Sequence, residues 1–281
     1  MEYNLSSERL SHPILVPILK VLSEVFEQTG IKFYIIGATA RDIMMEIHGE
    51  YSSRRLTYDL DIAIAIEDWS QYKLVEKTLL NHPEITKDKT QRQRFFYENK
   101  YDIDIVPFGA IMKNNEKIFW PPDESFAMTV LSFKEVQDHI VSVGIDEDLN
   151  VGIASLPGIF ILKLVAWRDR GMKNNKDADD LGFILRNFLE IRIESANEYY
   201  EEIYTPDFTE FRAGGILVGK EISAILEQNQ ASKELMMDIL TREVELEEES
   251  LLINQILETH RSLKYEEVRD GLFNIIKELK K

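Results

Sequence analysis

Two aspartates, Asp59 and Asp61, lie one residue apart in residues 57–64, a segment that is otherwise mainly apolar. In a β-strand, residues i and i+2 share a face, so the two carboxylates would point the same way. Adjacent carboxylates repel each other, and a hard divalent cation between them removes that repulsion. The pair therefore predicts a metal site. For an isolated Asp-x-Asp the structural alternative is an amphipathic strand with one solvated face.

A second acidic pair, Asp102 and Asp104, follows in a predicted hairpin made of residues 92–98 and 101–106 that turns at Asn99 and Lys100. This second acidic strand supplies a third carboxylate. Three carboxylates converging from two strands are what two-metal phosphoryl transfer requires, with the ions roughly 3.5–4 Å apart.

The composition narrows the kind of metal and the kind of partner. The 281 residues include no cysteine and five scattered histidines, so any metal should be oxygen-ligated. The net charge of −17 argues against broad electrostatic adhesion to nucleic acid. Residues 190–281 hold 21 acidic and 11 basic side chains, so the basic groups that could face a triphosphate lie earlier.

No stretch is long and apolar enough for a bilayer and the N-terminus has no secretory pattern, so we expect a cytoplasmic protein without membrane contact.

A glycine between a predicted strand and a predicted helix supplies a candidate phosphate site. Residues 32–36 form the strand, Gly37 follows, and residues 39–48 form the helix. That geometry turns free backbone N–H groups toward a phosphate at the helix N-terminus. Most strand-to-helix turns contain a glycine, so the signal is weak by itself.

The remaining elements follow from hydrophobic periodicity and from turn residues. Residues 111–138 are expected to be irregular with a rigid turn at 120–123, and the acidic run 243–249 is expected to be a solvated face. The further predicted helices span 13–29, 69–80 and 265–280, the further strands span 140–145 and 151–154, and most of the chain from residue 155 onward is expected to be helical.

Lys163 lies in a predicted helix that is apolar on nearly every side. A buried ammonium without an anion costs several kcal/mol, so Lys163 must reach solvent, pair with a carboxylate or meet a phosphate. Further on, Asp177 and Asp180 lie one turn apart at the start of the next predicted helix and share a face. A helix N-terminus favours acidic residues, which explains these two aspartates without any function.

Taken together, these motifs resemble the nucleotidyltransferase superfamily and, within it, the AbiEii/AbiGii-type toxin family. The likeness runs over about residues 30–225 and rests on the order of several motifs. They are Gly37-Ala38-Thr39-Ala40-Arg41-Asp42, Asp59-Leu60-Asp61, Asp104, the stretch 151–158 leading to Lys163 and Arg168, Lys176-Asp177 with Asp180, and Gly-Gly-Ile-Leu-Val-Gly-Lys-Glu-Ile within 212–225.

Two features depart from the superfamily pattern. Ala38 stands where a serine hydroxyl would hold a phosphate, although Thr39 is adjacent and could replace it. The gap between Gly37 and Asp59 is also longer than in minimal members. Neither departure removes a metal ligand.

The resemblance implies an α+β (α/β) fold, with a nucleotidyltransferase-like mixed β-sheet flanked by helices and followed by a mostly helical C-terminal region. It implies a catalytic core at residues 1–155 and a region at 156–281 that closes the nucleotide cleft. Asp59 and Asp61 would hold two Mg²⁺ ions, and Asp104 would complete the second site and help to deprotonate the acceptor hydroxyl. The nucleotide-binding set would be Gly37, Ala38, Thr39, Arg41, Lys163, Arg168, Lys176, Asp177 and Asp180, with Lys163 and Arg168 neutralising the triphosphate.

The implied activity is transfer of a nucleoside monophosphate from an NTP to an acceptor hydroxyl, either an RNA 3′ end, tRNA included, or a protein side chain. A toxin of this type would also have an antitoxin protein as its partner. Two alternatives stay open. One is a nucleotide-binding toxin-system component with little catalysis, and the other is an enzyme like the tRNA CCA-adding enzymes, whose start also resembles Arg41-Asp42 and Asp-Leu-Asp-Ile-Ala.

Overall fold

The computed structural model describes residues 2–10, 12–49, 59–114 and 116–281. Within these ranges the chain forms two compact units, Met1–Ser155 and Leu156–Lys281. The long gap between Gly37 and Asp59 includes the polar segment 50–56, whose composition predicts a loop, and this segment lies outside the described residues. In the described part of the chain, no helix is long and apolar enough to cross a membrane.

The unit Met1–Ser155 is built on an eight-stranded mixed sheet in the order β1-β9-β10-β2-β3-β6-β5-β4. The pairs β1–β9, β10–β2 and β3–β6 are parallel, and the other neighbours are antiparallel. The strands are β1 Glu2–Leu5, β2 Phe33–Ile36, β3 Asp59–Ile66, β4 Ile85–Lys87, β5 Arg94–Tyr97, β6 Tyr101–Gly109, β7 Lys117–Phe119, β8 Ala127–Thr129, β9 Ile140–Ile145 and β10 Leu149–Ala154.

Among the described residues of this unit, four α-helices accompany the sheet: α1 Leu15–Thr29, α2 Gly37–Gly49, α3 Trp69–Leu79 and α4 Phe133–Gln137. Helix α1 ends at Gly30, which takes the left-handed conformation typical of a helix C-terminus. Helix α3 begins where the Asp68 carboxylate accepts hydrogen bonds from the backbone N–H groups of Ser70 and Gln71. The mixed sheet with its helices, followed by a helical C-terminal region, confirms the predicted fold class.

The unit Leu156–Lys281 is helical. Its helices are α5 Leu156–Arg170, α6 Lys176–Ile191, α7 Ile193–Ala196, α8 Tyr200–Ile203, α9 Glu210–Ile225, α10 Gln230–Glu245, α11 Leu251–Thr259 and α12 Tyr265–Leu279. Helix α9 packs against α6 and α12 through two glycines. A Cβ on Gly214 would lie 2.0 Å from the carbonyl oxygen of Leu185, and one on Gly215 would lie 2.2 Å from that of Gly271. The Gly-Gly motif therefore allows helix backbones to approach each other closely.

Two sequence-based expectations were wrong in detail, and one strand was missed. Residues 111–138 are not wholly irregular, since β7 and β8 form a two-stranded sheet and α4 follows them. Strand β1, which the sequence did not predict, pairs with β9 at the edge of the main sheet. Glu243 is buried, unlike the solvated run in which it was placed, because its carboxylate accepts hydrogen bonds from Ser250 and Leu252 at the start of α11.

Candidate active site

Four aspartates share one face of the main sheet where β3 and β6 run side by side. These strands are parallel, and Asp59 pairs with Asp102 while Asp61 pairs with Asp104. Residues two apart in a strand share a face, and neighbouring strands lie about 4.8 Å apart. The structure therefore places Asp104 beside Asp61, and it also brings Asp102 onto the same face. The opposite face of β3 is fully buried and apolar.

Arg94 lies across the second acidic pair. Its Nε and Nη2 donate to the two carboxylate oxygens of Asp104 at 2.8 Å each, and Nη1 lies 2.6 Å from Asp102. Asp104, with 14% of its side chain exposed, is the more enclosed of the two aspartates. Bidentate pairs of this kind are the strongest form of arginine–carboxylate contact. One guanidinium thus binds both aspartates of β6.

Arg94 was not among the predicted site residues, although the sequence contains a signal for it. In the predicted hairpin, a turn centred near Asn99 sets residue 94 opposite residue 104, and the structure has this register. An arginine facing an aspartate across two antiparallel strands forms a favourable cross-strand pair. The register of the hairpin therefore indicates this contact from the sequence.

Mutual electrostatics change the acidity of these groups. Hydrogen bonding to Asp104 raises the pKa of Arg94, which therefore stays charged. Partial burial raises the pKa of Asp102; Arg94 opposes that effect, and the negative charges of Asp104 and Asp59 add to it. The cluster is a site of concentrated negative charge that one cation partly balances.

The turn between β2 and α2 lies directly against Asp61. Ile36 pairs with Asp61 across β2 and β3, and Gly37 follows with φ +71°. A Cβ on Gly37 would lie 2.2 Å from Oδ2 of Asp61, so both the backbone conformation and the available space require glycine here. Since α2 begins at Gly37, a helix N-terminus adjoins the acidic face.

The other residues of the glycine motif are mostly buried. Ala38 and Thr39 are buried, and the Thr39 hydroxyl donates to the backbone carbonyl of Asp59 at 2.9 Å. Because this hydroxyl proton is already in a hydrogen bond within the protein, the Thr39 hydroxyl cannot donate the same proton to a phosphate in place of a serine. Arg41 is fully buried, and its Nε donates to Asp42 at 2.9 Å. The assignment of Arg41 to nucleotide binding stays a prediction.

The acidic face fits Mg²⁺ in its donor chemistry, because carboxylate oxygens are the ligands that this ion prefers. Among the residues with described positions, however, no three or more histidine, aspartate or glutamate side chains are grouped so as to hold a metal ion. Arg94 supplies a physical reason, since it occupies both oxygens of Asp104. Asp59 and Asp61 would be the first ligands, and Asp104 would join them only after Arg94 had moved.

Lys163 is buried within the unit Leu156–Lys281, and its ammonium lies between two aspartates of α6. Nζ is 3.1 Å from Asp177 and 2.6 Å from Asp180. Of the three alternatives for Lys163, the structure shows the pair with carboxylates. Arg170, which was not among the predicted site residues, donates to both oxygens of Asp177 at 2.6 and 2.9 Å.

These charges belong to one network that joins α5 to α6. Burial alone would raise the pKa of Asp177, but Arg170 and Lys163 together hold that pKa below its ordinary value. Arg168 donates instead to its neighbour Asp169 at 2.9 Å, and Lys176 is exposed at the start of α6. The roles of all these residues toward a nucleotide stay predictions.

Comparison with known proteins gives remote structural matches. No curated protein matches the sequence. The solution structure of the antibiotic-resistance factor ANT(2″)-Ia is 10% identical over 67% of this chain and 94% of its own, with a TM-score of 0.39. A CCA-adding enzyme in complex with CTP is 15% identical over 97% and 70%, with a TM-score of 0.31. CdnE cyclic dinucleotide synthase of Elizabethkingia meningoseptica, with GTP and Apcpp, is 11% identical over 99% and 93%, also with a TM-score of 0.31.

The family comparison is decisive and confirms the resemblance seen in the sequence. Residues 20–273 match the family described as "Nucleotidyl transferase AbiEii toxin, Type IV TA system". The match covers both compact units and includes the glycine turn, the four aspartates and the Lys163 network. The chain belongs to the AbiEii nucleotidyltransferase toxin family.

Proposed function

We propose that this protein is a Mg²⁺-dependent nucleotidyltransferase that moves a nucleoside monophosphate from an NTP to an acceptor hydroxyl. Family membership supports the transferase class. The observation that carries the proposal is the position of Asp61, which lies beside Asp104 on one side and against the Gly37 turn on the other. The carboxylates proposed to hold metal and the backbone N–H groups proposed to bind phosphate would thereby be adjacent, as phosphoryl transfer requires.

Each residue of the acidic face has a distinct part in this proposal. Asp59 and Asp61 would hold Mg²⁺, and bound Mg²⁺ would neutralise the triphosphate and favour ionisation of the acceptor hydroxyl. Once Arg94 had withdrawn from Asp104, the Asp104 carboxylate would accept the proton of that hydroxyl. Arg94 would then remain near the reacting groups as a mobile positive charge.

The glycine turn would bind the outer phosphates. Ala38 and Thr39 form the first turn of α2, where backbone N–H groups lack helical partners and attract anions. Gly37 would permit this turn to approach Asp61 without a steric clash. Phosphate binding through backbone groups does not require the serine that Ala38 replaces.

The unit Leu156–Lys281 would close over the nucleotide, and Arg168 and Lys176 would neutralise charge on it. The contacts of Lys163 favour a structural part for this residue, because two buried aspartates already balance its ammonium. Asp177 and Asp180 would accordingly fix α6 to α5.

The acceptor would be an RNA 3′ end or a protein hydroxyl, and the protein would act as the toxin of a toxin–antitoxin pair in the cytoplasm. A second candidate function is nucleotide binding with little transfer, and the engagement of Asp104 by Arg94 favours it. If Arg94 never released Asp104, the third carboxylate would not reach a metal.

Transfer of label from α-³²P-NTPs tests the proposal and separates it from the second candidate. Purified protein would be incubated with each NTP, Mg²⁺, and total cell RNA or total cell protein, with EDTA and the Asp61→Asn variant as controls. We expect incorporation into one acceptor class that is lost in both controls. NTP binding without incorporation would favour the second candidate, and incorporation that persists with Asp61→Asn would overturn the assignment of the site.

A further inference from the structure

A cavity of about 300 Å³ lies within the unit Met1–Ser155, and none of the four aspartates lines it. It is lined by the start of α3, by the connection between β4 and β5, and by Trp120 and Pro121. Its size is at the lower end of the range for small-molecule sites, roughly 300–1,000 Å³. Below it is called the aromatic pocket. It has room for one small group.

Three aromatic rings line the aromatic pocket and contact one another. The Trp69 ring centroid lies 5.4 Å from that of Trp120 and 5.8 Å from that of Tyr72, and Tyr72 and Trp120 meet edge to face at 6.1 Å. Trp69 is partly exposed, whereas the other two rings are buried. The pocket therefore has a fixed apolar wall with one accessible indole, which suits a flat aromatic ligand.

The charge of the aromatic pocket opposes that of the whole chain. Four cationic side chains and two anionic ones line it, a local balance of +2 in a protein of net charge −17. Glu76 pairs with Lys87 at 3.3 Å. Lys73 and Lys89 are exposed, and neither has a carboxylate partner among the described residues. These two lysines are available to an anion at the rim of the pocket.

The walls of the pocket are held by hydrogen bonds, so it is built before any ligand arrives. Arg92 donates to the carbonyl oxygens of Trp120 at 3.3 Å and Pro121 at 2.5 Å, and it pairs with Asp123 at 2.9 Å. Asp88 accepts from the backbone N–H groups of Thr90 at 2.6 Å and Gln91 at 2.8 Å. A preformed pocket loses little entropy on binding.

We propose that the aromatic pocket binds one nucleotide of a single-stranded RNA, with the base against the aromatic wall and the phosphates at Lys73 and Lys89. Stacking on aromatic rings combined with cationic contacts to the backbone is how proteins hold single-stranded nucleic acid. A nucleotide matches both features, whereas an acidic peptide would use only the lysines. The inference rests on the proposed function in one respect, since the bound strand would be the acceptor.

Fluorescence anisotropy of a labelled single-stranded oligonucleotide, measured without NTP or metal, tests the pocket independently of catalysis. The variant Lys73→Gln/Lys89→Gln would be compared with Lys32→Gln/Lys77→Gln, which removes the same charge from two exposed lysines outside the pocket, one of them on α3. We expect the pocket variant to bind roughly tenfold more weakly and the control to bind like wild type. The slope of log K against log salt should also fall by about 1.4, or about 0.7 for each lost phosphate contact.

Further ligands identify what the pocket selects. A mononucleotide should compete weakly for the same site, and a polyglutamate peptide should not compete. Equal binding by the two double variants, or polyglutamate binding as tight as that of RNA, would overturn the proposal. Oligonucleotide binding that depends on Lys73 and Lys89, in a protein that transfers no nucleotide, would support the pocket while the proposed activity failed.

Discussion

Arg94 donates a hydrogen bond to each carboxylate oxygen of Asp104, both at 2.8 Å, in the position where the family resemblance predicts a metal ligand. In the structure described above, the Arg94 guanidinium partly neutralises the negative charge of the acidic face. In a metal-bound state, it would have to withdraw from Asp104. The contact is a finding of the structure, and its consequence for metal binding can be measured.

Replacing Arg94 with glutamine should tighten divalent-cation binding. The substitution removes a positive charge next to Asp102 and Asp104, and two charges of +1 and +2 about 5 Å apart repel by roughly 1–2 kcal/mol in water. We expect the Mn²⁺ dissociation constant, measured by isothermal titration calorimetry, to fall roughly tenfold. Without metal the Tm should fall, because the aspartates lose their cation.

Arg94→Lys is the matched control for this experiment. It keeps the charge but loses the bidentate geometry, so Mn²⁺ affinity should stay near that of wild type. Unchanged affinity in Arg94→Gln would contradict the view that Arg94 competes with metal.

Asp61→Asn should abolish nucleotide transfer and leave the fold intact. Asp61 is only partly buried, and removing its charge relieves repulsion with Asp59 and Asp104. We expect activity to fall by about 10²-fold or more, the scale of a lost electrostatic contact to the reacting groups. The Tm without metal should stay level or rise. Asp148→Asn, at an exposed position, provides the control for both readouts, and a large loss of stability in Asp61→Asn alone would show that Asp61 is structural.

Gly37→Ala should strain the backbone and also disturb the acidic face. Gly30→Ala should strain the backbone alone, so the two variants separate these effects. Both glycines have positive φ, +71° and +67°, so both substitutions should cost about 1–2 kcal/mol in unfolding free energy. A Cβ on Gly30 would meet nothing within 4 Å, whereas one on Gly37 would meet the Asp61 carboxylate at 2.2 Å. We expect metal binding and transfer to be lost only in Gly37→Ala. Urea unfolding and calorimetry would check this, and equal activity in the two variants would contradict it.

Lys163→Met should destabilise the unit Leu156–Lys281. The substitution keeps the apolar stem but leaves Asp180 without its lysine and Asp177 with Arg170. Removal of one partner from a buried ion pair costs about 3–5 kcal/mol, and we expect a Tm decrease of roughly 10 °C. Lys173→Met, at an exposed position in the loop before α6, should leave the Tm unchanged.

The pH dependence provides a second readout for Lys163. In the wild type the pKa of Asp177 is lowered, so the network's contribution to stability is complete above the unfolded pKa of about 3.9 and is lost as the pH falls below it. In Lys163→Met, Asp177 loses one of the two positive charges that lower its pKa, so protonation becomes easier and the difference from wild type should shrink between pH 7 and pH 4. A difference that stays constant across this range would show that packing, and not charge, holds Lys163 in place.

The sequence predicted the acidic face well because its signals are local. Asp59 and Asp61 share a face through strand periodicity alone, and the hairpin that carries Asp104 was evident from its turn residues. Gly37 was a weak signal, and only the structure shows that the space next to Asp61 excludes any side chain. Such a close approach depends on how β2 and β3 pair, which local patterns do not specify.

The details that were wrong or missing concern tertiary contacts, which local sequence patterns do not specify. Lys163 is buried as expected, but its ion pairs with Asp177 and Asp180 depend on the packing of α5 against α6. Glu243 lies in an acidic run that resembles a solvated surface, and it is buried because it accepts hydrogen bonds at the start of α11. Strand β1 pairs with β9, which lies about 140 residues further along the chain. The four residues of β1 are too few to show a periodicity that predicts a strand.

Anomalous diffraction from crystals grown with Mn²⁺ and a non-hydrolysable NTP analogue tests the central claim most directly. We expect Mn²⁺ peaks at coordination distances of about 2.1–2.3 Å from the carboxylates of Asp59 and Asp61, with Arg94 withdrawn from Asp104 and the phosphates at the N-terminus of α2. Mn²⁺ bound away from Asp59 and Asp61, or an NTP analogue bound with no contact to the Gly37 turn, would contradict the account.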